Sequence, residues 1–409
     1  MRMPLLRKLT RTPLAPKPLT CPYCYERFPI RDILFRCNTR MSRTGRRCVA
    51  KTDGILEERT GNRRELGPVF SADGRKTTAV CPDCASETRY RVCPVCHSQL
   101  PTQFGLVDNL LIAMVGSKDS GKTVYMTVLL HEVMNRIGAR LDASLLAADE
   151  HTLSRFRLNY EESLYAERRL PTTTTSAGTR DGRVDPLVFR FSVRRNGPIR
   201  QAPVHTLLSF FDAAGEDLVS QESVDLNTRY LANADGVLLL LDPLQMPGAR
   251  QSAAPDTRLP GVGARYDTSV GVLTRITDML LSQPGLLNRG LIDVPVAVVF
   301  PKLDAFRHRL RRGSPLTVEP PAGPRFDVAD SLDVHTEMMG LLRDWDGVQI
   351  DQVMANNYRR YRYFGVSALG ANPTSDAEVA QTGIQPYRVA DPFVWLLSEL
   401  GAVGREGRG

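Results

Sequence analysis

Residues 110–131 read LLIAMVGSKDSGKTVYMTVLLH. The run LLIAMV is apolar without alternation, which suits a strand buried on both faces. It breaks at Gly116 into small and charged residues. After Thr123 the apolar residues return at three- and four-residue spacing, the rhythm of a helix. Gly116-x4-Gly121-Lys122-Thr123 between a strand and a helix is the phosphate-loop pattern. Its glycines let main-chain N–H groups turn inward around phosphate oxygens, and the helix N-terminus adds partial positive charge. On this reading Gly116, Ser117, Lys118, Asp119, Ser120, Gly121, Lys122, Thr123 and Val124 line a nucleotide site. Lys122 reaches the outer phosphates and the Thr123 hydroxyl ligates Mg²⁺.

A phosphate loop does not choose between ATP and GTP. Four later apolar runs narrow the choice, each ending in a polar cluster. HTLLSFFDAAGE ends in Asp212-x2-Gly215, a carboxylate placed to ligate Mg²⁺ and an N–H for the terminal phosphate. GVLLLLDP covers residues 236–243, VPVAVVFPKLD ends in Lys302-x-Asp304, and RYFGVSALG carries Ser367, Ala368 and Leu369. The strands alternate with helical stretches, among them residues 328–345 and 390–400, so the expected fold is α/β with a mostly parallel sheet. Phe393, Leu396 and Leu397 share one face of the last helix and read as core.

In this order the clusters resemble the boxes of the GTPase superfamily that includes Ras-like and translation-factor GTPases, over residues from about 109 to 400. The resemblance implies that Asp304 accepts hydrogen bonds from guanine N1 and N2, which adenine cannot supply. Lys302 packs over the base and supports the phosphate loop, and Ser367, Ala368 and Leu369 lie on the guanine O6 side. It also implies that Gly215 and a threonine among residues 172–175 report the γ-phosphate. Thr174 is the first choice and Thr173 the second, the threonine also ligating Mg²⁺. The expected catalytic set is Lys122, Glu216 and Thr174. Two departures weigh on turnover. Pro301 stands where Asn or Thr is usual and removes a loop-bracing hydrogen bond, and Glu216 replaces the usual Gln and sets a charge near the γ-phosphate. Arg168, Arg169 and Arg180 flank the expected switch, and none is assigned as an arginine finger.

The first quarter of the chain has another chemistry. Residues 1–101 hold 20 Lys+Arg against 9 Asp+Glu and all eight cysteines, whereas the remainder holds 33 against 36 and no cysteine. This divides the chain into a basic module, 1–101, and a nucleotide domain, 102–409, with inserts near 143–180, 243–265 and 311–327. Residues 143–170 read as helical, a lid by length, and residues 243–263 as a mobile Pro/Gly/Ala loop. The cysteines run Cys21-x2-Cys24, Cys37, Cys48, Cys81-x2-Cys84 and Cys93-x2-Cys96. Each CxxC turn lets two thiolates ligate one tetrahedral metal, so two structural zinc sites are expected. CPDC and CPVC, eight residues apart, form a compact four-thiolate site, with the upstream cysteines as the second. The other pairing joins CPYC to CPVC and leaves Cys37, Cys48, Cys81 and Cys84 together; the spacing does not decide between them. His97 is a substitute ligand. The arginines around Cys37 suit an anionic partner such as nucleic acid, or a protein-docking surface.

No apolar run is long enough to span a membrane, and the basic start lacks a signal-peptide core, so a cytoplasmic location is expected. The paired CPxC knuckles, the DAAGE and PKLD boxes and the closing RVADPFVWLL resemble the bacterial double-GTPase type-2 domain family. That resemblance implies a GTP-binding switch with slow hydrolysis, working with companion proteins in a bacterial signalling or conflict system. The rivals are a zinc-ribbon P-loop ATPase acting on nucleic acid and a GTP-bound scaffold with little turnover.

Overall fold

The chain is described from a computed structural model that covers residues 18–117, 119–171, 186–194, 203–212, 229–260, 268–321, 323–374 and 378–407, with the main chain alone for Phe211 and Asp212. The second unit is built on a seven-stranded sheet. Its strands in chain order are β1 (Asp108–Gly116), β2 (Ala143–Ala147), β3 (Leu187–Arg194), β4 (Pro203–Asp212), β5 (Gly236–Leu240), β6 (Val296–Phe300) and β7 (Tyr361–Gly365). In space they lie β2-β3-β4-β1-β5-β6-β7. From β4 to β7 every pair is parallel, while β2 and β3 add antiparallel to that edge. Every residue of β5 and β6 is buried, as strands covered on both faces must be.

The first strand lies inside the sheet, and the chain extends to one side of it and then to the other. Ligands in open α/β sheets bind at such a switch point, beyond the carboxyl ends of the strands. Met114 of β1 is level with Asp212 and with Leu238, Leu240 with Val299, and Phe300 with Gly365. The polar clusters that follow β1, β5, β6 and β7, with the main chain of Asp212 at the end of β4, therefore share one edge, although up to about 250 residues separate them in sequence.

Helices α1 (Lys122–Glu132), α2 (Glu150–Phe156), α3 (Ser269–Leu281), α4 (Val328–Asp344), α5 (Val348–Asn357) and α6 (Asp391–Glu399) pack around this sheet. Asp149, Thr268 and Asp327 cap α2, α3 and α4 by accepting an N–H three residues on. Helix α6 is buried from Asp391 to Ser398, and Phe393, Leu396 and Leu397 are core residues as expected. Tyr125 of α1 donates to the Val389 carbonyl at 2.9 Å, which ties the helix after the phosphate loop to the entry of α6.

Two expectations are corrected. Residues 143–147 form an edge strand rather than a helix, because Leu145 is buried against β3 while Leu146 is 51% exposed, a two-residue period. Helical structure begins only at Glu150 and continues with wider turns from Arg157 to Ala166. The loop expected at 243–263 begins with a tight turn, Pro243–Gln245, and a helix, Pro247–Ser252. Leu244, Met246 and Ala249 bury themselves in the core and hold this stretch in place.

Under the sheet, Tyr363 donates its N–H to His335 Nδ1 at 3.0 Å, and the two rings stack. That hydrogen bond requires a neutral imidazole. Burial, with the Arg362 cation adding to it, pushes His335 down to about 4. The unfolded chain holds this proton up to about pH 6.5, so the stabilisation is complete above that pH and is lost as pH falls towards 4. Between pH 7 and pH 5 the wild type is expected to lose about 1 kcal/mol more than His335→Asn in urea unfolding, the partial exposure of the ring screening part of the effect. Parallel curves for the two proteins would refute the assignment.

The cysteine module is a set of short ladders. Its central strand, Leu34–Arg36, pairs antiparallel with Tyr90–Val92 and with Val69–Phe70. Hairpins 19–20/27–28 and 79–80/87–88 each carry a CxxC turn at the tip. Among the described residues, two apolar contacts help join the module to the sheet. Phe28, Ile33, Cys93, Cys96, Leu100 and Phe104 form one apolar cluster with Leu207 of β4. Tyr25 enters the main core, its ring 5.1 Å from that of Tyr230, whose hydroxyl accepts from Met114 N–H at 2.8 Å and donates to the Ile112 carbonyl at 3.0 Å.

Candidate functional site

β1 ends at Gly116, and a side chain there could not fit, since a Cβ would meet the Leu240 carbonyl oxygen at 2.4 Å. Gly121 closes the loop with φ +83°, a conformation glycine adopts without strain, and α1 starts at the next residue. Lys122 curls back over the turn: its Nζ donates to the Gly116 carbonyl at 3.0 Å and to the Ser117 carbonyl at 2.7 Å. Ser120 is fully buried, and its hydroxyl has no hydrogen-bond partner among the described residues. A cradle that holds an ammonium against its own carbonyls, beside an unsatisfied hydroxyl and a helix N-terminus, suits an oxygen-rich anion. Val124 and Thr123 are half-buried in the first turn of α1, and Asp119 is exposed at the tip of the loop.

The second half of the site comes from the ends of β5, β6 and β7. Asp242, just beyond β5, is fully buried. Its Oδ2 pairs with Lys302 Nζ at 2.6 Å, while its Oδ1 accepts the Leu244 N–H at 3.0 Å. The same ammonium donates to the Asp119 carbonyl at 3.1 Å, so Lys302 ties the turn after β6 to the phosphate loop. Lys302 has φ +63°, an uncommon conformation for a residue with a side chain. Leu303 N–H donates to the Val366 carbonyl at 3.0 Å and draws the two turns together. The Ser367 hydroxyl donates to Asp304 Oδ1 and accepts the Gly370 N–H at 2.9 Å. Ala368 and Leu369 are half-buried beside it.

Lys302, Asp304 and Ser367 therefore meet beside the loop of Lys122. The main chain of Asp212, the last residue of β4, lies level with Met114 of β1, and Thr123 stands in the first turn of α1. Lys118, Gly215, Glu216, Thr173 and Thr174 lie outside the described residues, as does Arg180. The main chain of Arg168 and Arg169 pairs with residues 378–379: the Arg168 carbonyl accepts the Val379 N–H, and Arg169 forms a bridge with Glu378. Two residues of the site escaped sequence reasoning. Asp242 closes the run GVLLLLDP, to which the sequence assigns no role beyond a buried strand, and Gln245, whose side chain reaches Ser117, lies in the stretch expected to be a loop. The signal for Asp242 was a lone carboxylate directly after five apolar residues.

In the cysteine module, Cys21, Cys24, Cys93 and Cys96 form one cluster and Cys37, Cys48, Cys81 and Cys84 the other. This is the crossed arrangement, so CPDC and CPVC do not share a site. The reason is the ladder: residues between Cys84 and Cys93 run extended along Leu34–Arg36, which sets the two turns at opposite ends. Sulfur pairs lie 3.8 Å apart in the first cluster (21 to 96, 24 to 93). In the second they lie 3.6 Å (37 to 84) and 3.7 Å (48 to 81) apart. Zinc–sulfur bonds of about 2.3 Å in a tetrahedron put sulfurs about 3.8 Å apart, whereas a disulfide needs about 2.05 Å. The residues thus fit two tetrahedral thiolate-bound dications.

Burial, with three sulfurs pressed against it, pushes the Cys21 thiol well up. Hydrogen bonds, first from the Ser86 hydroxyl, lower Cys84 to about 6. Four crowded thiols cannot all ionise without a cation among them. His97 is no ligand: its Nδ1 lies 3.0 Å from Asp53, which also pairs with Arg36 at 2.7 Å.

Parts of the chain are similar to known proteins. Residues 110–313 match the model of the family described as double-GTPase 2. SaeC of Mycolicibacterium smegmatis (strain ATCC 700084 / mc(2)155), provisionally named an ESX-1 scaffolding and assembly protein, is 30% identical over 335 residues, covering 76% of this chain and 80% of that protein. Among solved structures, the GTPase-like domain of S. cerevisiae Ski7 bound to GDP and inorganic phosphate matches at a TM-score of 0.32 and 10% identity, over 72% of this chain. The match spans half of that solved chain, 50%. The G domain of the T. maritima FeoB iron transporter matches at a TM-score of 0.23 and 10% identity, over 64% of this chain and 91% of its own. Among the described residues no helix is long and apolar enough to cross a membrane.

Proposed function

This chain belongs to the double-GTPase 2 family, and from that premise we propose that it is a GTP-binding switch whose cysteine module holds two structural zinc ions. One observation carries the reading: the phosphate loop and the Lys302–Asp304–Ser367 cluster converge on one edge of the sheet, joined by the bond from Lys302 to Asp119. The loop from Gly116 to Val124 binds the phosphates, with Lys122 turning from its own carbonyls to the β- and γ-oxygens. Mg²⁺ is held by Thr123 and Asp212 and joined by Thr174 when the γ-phosphate is present; it neutralises charge on the phosphates. Asp304 accepts from guanine N1–H and N2–H. Ser367, which already engages one Asp304 oxygen, orients the carboxylate towards the base, with Ala368 and Leu369 at its O6 side. Gly215 reports the γ-phosphate and Glu216 orients water.

The relative's name favours the variant in which turnover is slow and the GTP-bound form serves assembly with protein partners. Pro301 and Glu216 support that variant, and a cytoplasmic setting is part of the proposal. The test is competition between GTP and ATP for a fluorescent GDP analogue on the full chain. GTP is expected to displace it at least a hundredfold more effectively, since adenine offers Asp304 no N1–H. Equal displacement would refute the guanine reading. Single-turnover hydrolysis by Glu216→Gln against wild type then separates switch from scaffold, with a rise in rate expected for the switch.

A further inference from the structure

Pro301 is buried in the turn that presents Lys302, and proline offers neither a side-chain donor nor an N–H. Among the described residues, the hydrogen bond from that turn to the phosphate loop is the one from Lys302 to the Asp119 carbonyl. A side-chain amide reaches the loop from another strand. Gln245 closes the tight turn after β5, with its Nε2 3.0 Å and its Oε1 3.3 Å from Ser117 Oγ. Its Oε1 also lies 3.4 Å from the hydroxyl of Ser269, the first residue of α3, which donates to the Asp242 carbonyl at 3.0 Å. Nε2 donates to Ser117, and Oε1 faces the Ser269 hydroxyl, whose single proton lies between Oε1 and the nearer Asp242 carbonyl.

The support is rigid. Ser117 and Ser269 are buried, and Leu244 beside Gln245 is 1% exposed. The turn is capped by Asp242, the carboxylate that also pairs with Lys302. On the other side, the Ser117 carbonyl is the nearer acceptor of Lys122 Nζ. A continuous chain of contacts thus runs Ser269, Gln245, Ser117, Lys122.

Resting on the guanine-nucleotide reading above, we infer that Gln245 is a positioning residue for the β- and γ-phosphates: it fixes Ser117, and through that carbonyl the resting place of the Lys122 ammonium. It touches neither the base nor the α-phosphate. Its removal acts on di- and triphosphates and spares the monophosphate. Base preference is unchanged, because Asp304 and Ser367 stand in the turns after β6 and β7.

The experiment measures affinities of the full chain for GTP, GDP and GMP by competition, for wild type, Gln245→Leu, Ser117→Ala and the double variant. Gln245→Leu is expected to weaken GTP and GDP by roughly tenfold, the cost of stranding one buried hydroxyl, with GMP affinity and the GTP-over-ATP ratio held within about twofold. Ser117→Ala is expected to give a similar loss and the double variant no further loss, because both remove one contact. Unchanged GDP affinity in Gln245→Leu, an equal fall for GMP and GDP, or additive losses in the double variant would each overturn the inference. Should Gln245→Leu fail to fold, Ser117→Ala carries the same expectation and the same refutation from the loop side. A wild type that binds no guanine nucleotide sinks the underlying reading before any variant is compared.

Discussion

Lys302→Met is expected to destabilise the protein by about 3–5 kcal/mol in urea unfolding, more than a substitution at any exposed lysine. The cause is Asp242. Its carboxylate is fully buried, and Lys302 Nζ at 2.6 Å is the cation that balances it. Removing the ammonium leaves a buried negative charge that the hydrogen bond from Leu244 N–H does not neutralise. The double variant Lys302→Met, Asp242→Asn should recover most of the loss, because an uncharged amide can still accept from Leu244. Recovery of stability without recovery of nucleotide affinity would separate the two duties of Lys302, since its bond to the Asp119 carbonyl is not restored. A single variant as stable as wild type would show that Asp242 is not an ionised partner.

The second large effect concerns the cysteines. Wild type is expected to carry two zinc ions per chain, one for each cluster. Structural zinc in small modules contributes on the order of 10 kcal/mol of apparent folding energy, so its loss should unfold the module. The pairing is tested by Cys81→Ser with Cys93→Ser. In the crossed arrangement the pair damages both clusters and zinc falls towards none; if CPDC and CPVC shared one site, a single ion would be lost. Chelation should also expose Leu207 and loosen Tyr25 from Tyr230, read as protease cleavage within residues 18–101. Retention of one zinc by the double variant would contradict the structure.

The phosphate loop was legible because each of its features is local: an apolar strand, two glycines, a lysine and a helical rhythm fall within one short window. The parallel sheet was legible for a related reason, since fully buried strands need no alternation, as β5 and β6 show. Asp304 and Ser367 followed from their order along the chain, and their contact follows from parallel strands ending on one edge.

What escaped is non-local or depends on register. The crossed cysteine pairing is decided by an antiparallel ladder of three residue pairs, invisible to spacing alone. Asp242 and Lys302 are sixty positions apart, and nothing near Asp242 in sequence announces its partner. Gln245 lay among prolines and glycines that resembled a loop, yet Leu244 and Met246 anchor that turn in the core. Residues 143–147 were misread because helix and strand rhythms differ little over five residues, and pairing with β3 settles the matter.

The central claim is that Asp304 reads guanine. Xanthine keeps the N1–H of guanine but replaces its N2 amine with a carbonyl. A carboxylate suits two donors, whereas an amide suits one donor and one acceptor. The most direct measurement is therefore the affinity of wild type and Asp304→Asn for GTP and XTP, by competition at fixed Mg²⁺. Wild type should prefer GTP and the variant XTP, with the ratio moving by at least roughly a hundredfold, the product of two exchanged hydrogen bonds. An unchanged preference in Asp304→Asn, with nucleotide still bound, would contradict the account.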